Sequence, residues 1–289
     1  MNAVVASVED VLRQTTAFLA GGGIAAPRHE ARILLGHVMG LTREELLLVH
    51  RRQMEEPEID NLIRLAQRRA AHEPIAYLTG EREFWGLAFE VTRDTLIPRP
   101  DSETLIEAAL RFARRMPGAR PRILDFGVGS GCLLISLLTE LPAAEGFGVD
   151  RNIAALTVAR RNAARHEVSS RACFAAGSWG DAVAPSFDLI IANPPYVAVG
   201  ERAGMMADVR DYEPAEALFA GADGDEAYRA LAPELHRLLT PAGRAFVELG
   251  AGMGDRVAAI FGAAELTECA RHSDLAGTPR CGIFARSGA

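Results

Sequence analysis

Ile123-Leu124-Asp125-Phe126-Gly127-Val128-Gly129-Ser130-Gly131 is the stretch on which the reading of this 289-residue chain turns. Residues 122–125 read as a short buried strand, and the apolar run after Cys132 reads as a helix. The glycines between them form a strand–turn–helix junction that lets a ligand approach the backbone, as at the carboxyl edge of doubly wound sheets. Outward from this junction, further strands are expected at 146–149, 172–175, 187–192 and 245–249 and near residues 269 and 281, with helices at 103–115, 152–166 and 226–239. That alternation predicts an α/β fold with an open, mostly parallel, Rossmann-like sheet.

Asp150 closes the next expected strand 19 residues beyond Gly131, a spacing suited to a carboxylate that accepts hydrogen bonds from ribose hydroxyls. Loop and acid together point to an adenosine-type cofactor. A dinucleotide fingerprint needs glycine at 132, where the chain has Cys132, and the alternative register meets Leu134. Nucleotide hydrolysis is disfavoured as well, because all 31 basic residues are arginine and no lysine exists to serve a phosphate loop. The D-x-G-x-G-x-G pattern resembles motif I of class I S-adenosylmethionine-dependent methyltransferases. That resemblance implies S-adenosyl-L-methionine as cofactor and a seven-stranded sheet, with Asp125 at the methionine end.

The strand expected at 187–192 delivers Asn193-Pro194-Pro195-Tyr196 to the same edge of the sheet. A planar amide or amino-aromatic nitrogen is a poor nucleophile, because its lone pair is delocalised. The Asn193 side-chain oxygen and the Pro194 carbonyl are suited to accept its two N–H bonds, drawing the nitrogen towards tetrahedral geometry and stabilising the positive charge that develops on it. Pro194 and Pro195 stiffen this edge, and Tyr196 offers a flat surface to the acceptor group. No general base is needed before transfer, since the methylated nitrogen is strongly acidic.

Residues 7–71 alternate helical patterns with short breaks, and Thr42-Arg43-Glu44-Glu45 has the form of a capping box. The predicted organisation is a helical substrate-recognition domain over 1–75, a β-hairpin connector over 76–98 and a catalytic domain over 99–289. Residues 1–75 hold nine arginines against ten acids, and the whole chain carries a formal net charge of −7, so neither is a nucleic-acid arm. A protein surface is the better partner for the helical part. Four scattered cysteines, no signal-like start and no apolar run of about 18 residues predict a soluble, cytoplasmic protein without a membrane partner. A monomer is expected. The seven histidines lack ligand spacing, so no metal is expected.

Beyond these motifs the chain carries Glu73-Pro74-Ile75-Ala76-Tyr77-Leu78-Thr79-Gly80, Phe84-Trp85-Gly86, Leu96-Ile97-Pro98-Arg99-Pro100 with Glu103, and Tyr212-Glu213-Pro214. With Asn193 to Tyr196 these make it resemble, over nearly its whole length, the HemK/PrmC protein glutamine methyltransferases. The resemblance implies methylation of the side-chain amide nitrogen of the glutamine in the Gly-Gly-Gln motif of peptide chain release factors, in support of translation termination and without a nucleic-acid partner. By the same resemblance Gly127, Val128, Gly129, Ser130, Gly131, Asp150 and Trp179 hold the cofactor, with Trp179 beside the adenine and Asn193 reaching the cofactor too. Asn193, Pro194, Pro195 and Tyr196 hold the glutamine amide, and Arg99 and Glu103 shape the cofactor pocket.

Some residues depart from the family pattern: Phe126, Val128, Asp101-Ser102, and Ser178 where an acid commonly precedes the tryptophan. Ser178 removes a potential carboxylate partner for the adenine amino group. Phe84 and Trp85 read as packing residues, and 208–213 as a solvated loop. Two other readings stand beside the first. One is an N6-adenine methyltransferase, which shares the acceptor logic but requires a basic groove; the other is a non-catalytic binding protein that retained the fold.

Overall fold

A computed structural model describes residues 6–116, 120–181, 183–184 and 186–288. Contacts along the chain divide it into two compact units, one reaching to Gly80 and including Met206–Tyr212, the other holding Glu81–Met205 and the chain from Glu213 onward.

The first unit is helical: α1 (Val8–Gly21), α2 (Pro27–Met39), α3 (Arg43–Leu48), α4 (Glu56–Ala70) and α5 (Ile75–Thr79). Residues 1–5 of the expected helical domain lie outside the described residues. The Ser7 hydroxyl caps α1 by accepting from Asp10 N at 3.2 Å. At α3 the expected capping box is formed in both directions, Thr42 N donating to Glu45 Oε2 at 2.8 Å and Glu45 N to Thr42 Oγ1 at 3.2 Å. Leu62, Leu65 and Ala66 of α4 pack with Val11 and Leu19 of α1 and Leu34 and Leu35 of α2 in one apolar cluster. Arg69 of α4 pairs with Glu30 of α2, while Arg68 grips the buried Glu73 with two 2.7 Å bonds. Glu73 thereby fastens the chain as it leaves α4.

The second unit opens with a tight hairpin, β1 (Glu81–Phe84) and β2 (Leu87–Glu90), turning at Trp85 and Gly86 with φ of 53° and 69°. Positive φ at both turn positions matches the twist of the flanking strands. Then follow α6 (Glu103–Ala113), β3 (Arg122–Phe126), α7 (Cys132–Glu140), β4 (Glu145–Asp150), α8 (Ile153–Arg165), β5 (Ala172–Ala176) and β6 (Phe187–Ala192). After them come α9 (Ala207–Tyr212), α10 (Ala215–Leu218), α11 (Glu226–Leu238), β7 (Leu239–Glu248), α12 (Gly254–Gly262), β8 (Leu266–Ser273) and β9 (Pro279–Arg286). Of these, α9 belongs to the helical unit, where the Tyr212 hydroxyl donates to Ala71 O at 2.8 Å.

Seven strands form one sheet in the order β5-β4-β3-β6-β7-β9-β8, parallel from β5 to β7 and antiparallel where β9 joins β7 and β8. Period-two alternation sends Ile123, Leu189 and Ile191 to a core with α6, α7 and α8, and Leu124, Phe126, Ile190 and Ala192 to a second core with α11 and α12. Strands buried on both faces explain the near-continuous apolar runs of the sequence. The junction of α11 and β7 differs most from expectation: β7 starts at Leu239 rather than 245, and α11 ends at Leu238 rather than 239. Thr240-Pro241-Ala242-Gly243 resembles a turn, but Leu239 pairs with Phe187 of β6, with a register shift before Leu189, so the neighbouring strand decides the assignment.

Fully buried Asn162 of α8 joins three parts of this unit: its Oδ1 accepts from Glu90 N at 2.8 Å, while Nδ2 donates to Glu90 O at 3.0 Å and Ser130 O at 2.8 Å. Asn162→Ala strands these three backbone groups and is expected to lower unfolding free energy by about 3 kcal/mol. Urea unfolding checks this, a loss below about 1 kcal/mol contradicting the role given to Asn162.

Candidate active site

Parallel pairing of Phe126 with Val149 on one side and Ala192 on the other brings the ends of β3, β4 and β6 to one edge. There the chain turns back on itself, Gly127 N and Val128 N both donating to Val149 O at 2.9 and 3.1 Å. Gly127, Gly129 and Gly131 adopt φ of 69°, 54° and 83°, the left-handed region that glycine enters without steric cost. At Gly131, the N-cap of α7, a Cβ would lie 2.8 Å from Ile135 Cδ1. Asp150 clamps the loop, its Oδ2 accepting from Gly129 N at 2.9 Å and its Oδ1 from Asn152 N at 2.8 Å. The Asn152 side chain in turn caps α8.

A cavity of about 410 Å³, the size of a small-ligand site, opens on this edge. Gly127, Val128, Gly129, Ser130 and Asp150 line one part of it, and Trp179, Asn193 and Pro195 line others. Arg99 also lines it, as does Ser178, the residue that replaces the usual acid. Trp179 holds a left-handed backbone, φ 48°, and meets Phe126 edge-on with ring centroids 6.1 Å apart. Four other expected site residues stand behind the wall: Gly131 caps α7, Pro194 is buried, Tyr196 turns towards Glu248, and Asp125 is buried at the end of β3. Glu103 does not shape the cavity; its carboxylate accepts from Trp85 N at 2.9 Å and so braces the hairpin turn. Phe84 and Trp85 pack in the core beside α6 and α7.

Neither carboxylate oxygen of Asp125 makes a hydrogen bond of good geometry. Burial, and after it the charge of Asp150, holds the group well above the usual carboxylate range, against a downward pull from the Leu134 amide. A buried acid with open acceptor positions fits a ligand that brings a cation or N–H donors. The loop glycines meet the same requirement on the backbone side, since the Cβ position at Gly127 faces open space. The residues present therefore suit S-adenosylmethionine, whose amino-acid end carries an ammonium group and a carboxylate beside a cationic sulfonium.

Two acids absent from the expected site organise it from beneath. Glu213, read from sequence as part of a solvated loop, is buried, pairs with Arg99 and accepts from Ile97 N at 3.1 Å. A run of charges at 208–213 suggested solvent, but α9 ends at Tyr212 and the chain then turns Glu213 inward. Glu248, the last residue of β7, accepts from the Ser102 hydroxyl and from the Tyr196 hydroxyl at 3.3 Å, and Asn193 Nδ2 donates to Ser102 Oγ at 3.2 Å. Its sequence signal is an acid closing the apolar strand Ala245-Phe246-Val247. Burial pushes Glu248 up to about 7, opposed by the Ser102 hydroxyl, Arg280 and the Tyr196 hydroxyl. Burial and the Glu248 charge also raise the Tyr196 phenol, so it remains a donor at neutral pH.

A carboxylate whose pKa is raised on folding contributes stability fully below its unfolded value and loses it as pH rises through the folded value. For Glu248 that window runs from 4.5 to about 7. Glu248→Gln is therefore expected to stabilise the protein at pH 8 by on the order of 3 kcal/mol, with little change near pH 4.5. Denaturant unfolding at the two pH values checks this; an equal effect at both is inconsistent with a raised Glu248.

The family model described as PrmC N-terminal domain matches residues 10–80, and the methyltransferase small domain matches residues 104–208. A release factor glutamine methyltransferase from Rhodospirillum rubrum is 41% identical over 92% of this chain and 81% of its own length. Proteins of the same name from Bradyrhizobium diazoefficiens and Cereibacter sphaeroides are 40% and 43% identical, covering 95% and 94% of this chain and 93% and 95% of theirs. With both domains matched in order and relatives aligned almost end to end, the chain belongs to the release factor glutamine methyltransferase family.

Proposed function

We propose that this protein is an S-adenosylmethionine-dependent protein-(glutamine-N5) methyltransferase acting on the Gly-Gly-Gln glutamine of peptide chain release factors. The observation that carries the reading is that Asn193 lines the same cavity as the glycine loop, Asp150 and Trp179, so cofactor and acceptor chemistry share one chamber. Bound S-adenosylmethionine supplies an electrophilic methyl group on a sulfonium. Asp150, anchored by Gly129 and Asn152, is oriented to receive ribose hydroxyls, and Trp179 flanks the adenine side. Asp125, buried behind the glycine loop, backs the amino-acid end of the cofactor.

On the acceptor side the chain's own groups do the positioning. Asn193 gives its Nδ2 to Ser102, which turns its Oδ1 to the opposite side as an acceptor for one amide N–H. The Pro194 carbonyl takes the second, and together they oppose amide planarity and stabilise the developing positive charge. Tyr196, held by Glu248, backs the acceptor pocket.

The helical unit supplies recognition of the release factor, for which Leu47 and Leu48, left exposed on α3, are suitable apolar contacts. No described helix is long and apolar enough to cross a membrane, and no described group of three His, Cys, Asp or Glu side chains is placed to hold a metal. The reading places the protein among the cytoplasmic components of translation.

Transfer of radiolabelled methyl to a purified release factor tests the reading beside a Gly-Gly-Gln→Gly-Gly-Ala factor and duplex DNA. Label on the intact factor alone is expected. Label on DNA would transfer the assignment to adenine methylation. Asn193→Ala is expected to cut turnover by on the order of a hundredfold while cofactor affinity stays within about threefold. Asp150→Ala is expected to weaken cofactor binding about tenfold or more in calorimetry, and unchanged affinity would remove it from the ribose site.

A further inference from the structure

Glu248 is buried and accepts hydrogen bonds from two hydroxyls that lead to the two ends of the acceptor motif. One hydroxyl belongs to Tyr196 itself. The other belongs to Ser102, in the short turn Pro100–Ser102, and Ser102 Oγ receives Asn193 Nδ2 at 3.2 Å. A serine hydroxyl has one proton to give. Given to a carboxylate, it leaves Ser102 Oγ a pure acceptor towards Asn193. Asn193 must then face it with its NH₂ group, and its Oδ1 faces the other way.

We propose that Glu248 and Ser102 form a positioning relay that fixes the side-chain amide of Asn193 with its oxygen presented to the substrate amide, while the same carboxylate anchors Tyr196. This rests on the glutamine-methyltransferase reading and adds to it residues that do not touch the reacting atoms. An asparagine amide is close to symmetric in shape, so packing alone discriminates poorly between its two orientations, and a hydrogen-bond partner of fixed polarity is what selects one. In the reverse orientation Asn193 would present two donors to a substrate that also donates, and the methyl acceptor would not be held. The relay also explains an otherwise costly feature, a carboxylate buried at the end of a strand whose hydrogen-bond partners include two hydroxyls.

Ionisation of Glu248 decides the polarity of the relay. As carboxylate it only accepts. Once protonated it can donate to Ser102, whose own proton is then free to turn towards Asn193. The groups facing Glu248 are Tyr196, Asp101 and Ser102 of the Pro100–Ser102 turn, Tyr228 of α11, Cys132 of α7, and Arg280 and Cys281 of β9. Tyr228 donates its hydroxyl to the backbone oxygen of Glu248 at 2.9 Å, and burial holds both Tyr228 and Cys281 protonated. Burial likewise pushes the Cys132 thiol up to about 12. Arg280 is ion-paired to Asp101 at 3.1 Å and to Asp274 at 3.2 Å. Burial pushes Glu248 itself to about 7, near neutrality.

Steady-state transfer to a release factor, measured from pH 5.5 to 9 for wild type, Ser102→Ala, Ser102→Thr and Glu248→Gln, tests the relay. Ser102→Ala is expected to lower kcat about tenfold to a hundredfold, with cofactor affinity by calorimetry within about threefold of wild type. Ser102→Thr keeps the hydroxyl and is expected to return kcat to within about threefold, although a bulkier residue in a merely packed position would do worse than alanine. Wild type should show an acid limb in kcat near pH 7 that Glu248→Gln lacks, at reduced kcat but undiminished stability. A Ser102→Ala enzyme with wild-type kcat overturns the relay, as does a threonine variant no better than alanine. A wild type that labels no release factor would sink the glutamine reading and the relay with it; a labelled wild type with an unaffected Ser102→Ala would sink the relay alone.

Discussion

The parallel register between β3 and β6 is the constraint on which the remainder of the site depends. Phe126 sits opposite Ala192, so the next residues of the two strands, Gly127 and Asn193, leave the sheet side by side. A slip of one residue would send Ile123, Leu189 and their neighbours to the opposite face, exchanging the contents of two cores. Apolar side chains buried on both faces therefore hold the register against any local preference of the loops. The cavity between loop and motif follows from strand pairing, and the glycines only keep it open.

Buried acids are concentrated at this edge. Asp125, Glu213 and Glu248 are each almost fully removed from solvent, and each is satisfied differently. Glu213 has an arginine partner, Glu248 has two hydroxyls, and Asp125 has no well-formed partner. The ordering is physically informative. A guanidinium leaves a carboxylate charged and inert, hydroxyls leave it charged but able to titrate, and an open carboxylate is left for a ligand. A raised pKa at Glu248 lowers stability at neutral pH, the kind of strain that functional sites carry and scaffolds avoid.

The helical unit is built on different terms. Its helices are short and amphipathic, and their ends are closed by local devices such as Ser7 on α1 and the Thr42–Glu45 box on α3. Two ion-paired arginines, Arg68 to Glu73 and Arg69 to Glu30, hold α4 to the chain that follows and to α2. Glu73 thus opens a family segment for a structural reason: it closes a helix end.

Much of the fold and half of the site were legible along the chain, because local chemistry encodes them. Alternating apolar runs and amphipathic helices identified the parallel sheet, and the 187–192 strand was placed to the residue. Three glycines in one turn, an acid at the end of the next strand and Asn193-Pro194-Pro195-Tyr196 carry their meaning in spacings of a few residues. What spacing does not encode is which distant residue stands behind another. Ser102 meets Glu248 across 146 residues, and Arg99 meets Glu213 across 114. Glu103 braces a hairpin instead of the cavity, and Leu239 became a strand because β6 lay beside it. The sequence by itself determined the ligand-facing loops, since their backbone conformations follow from glycine and proline. Only the tertiary structure decided the polarity and protonation of the groups behind them, because burial and partners exist only once strands far apart in the chain have paired.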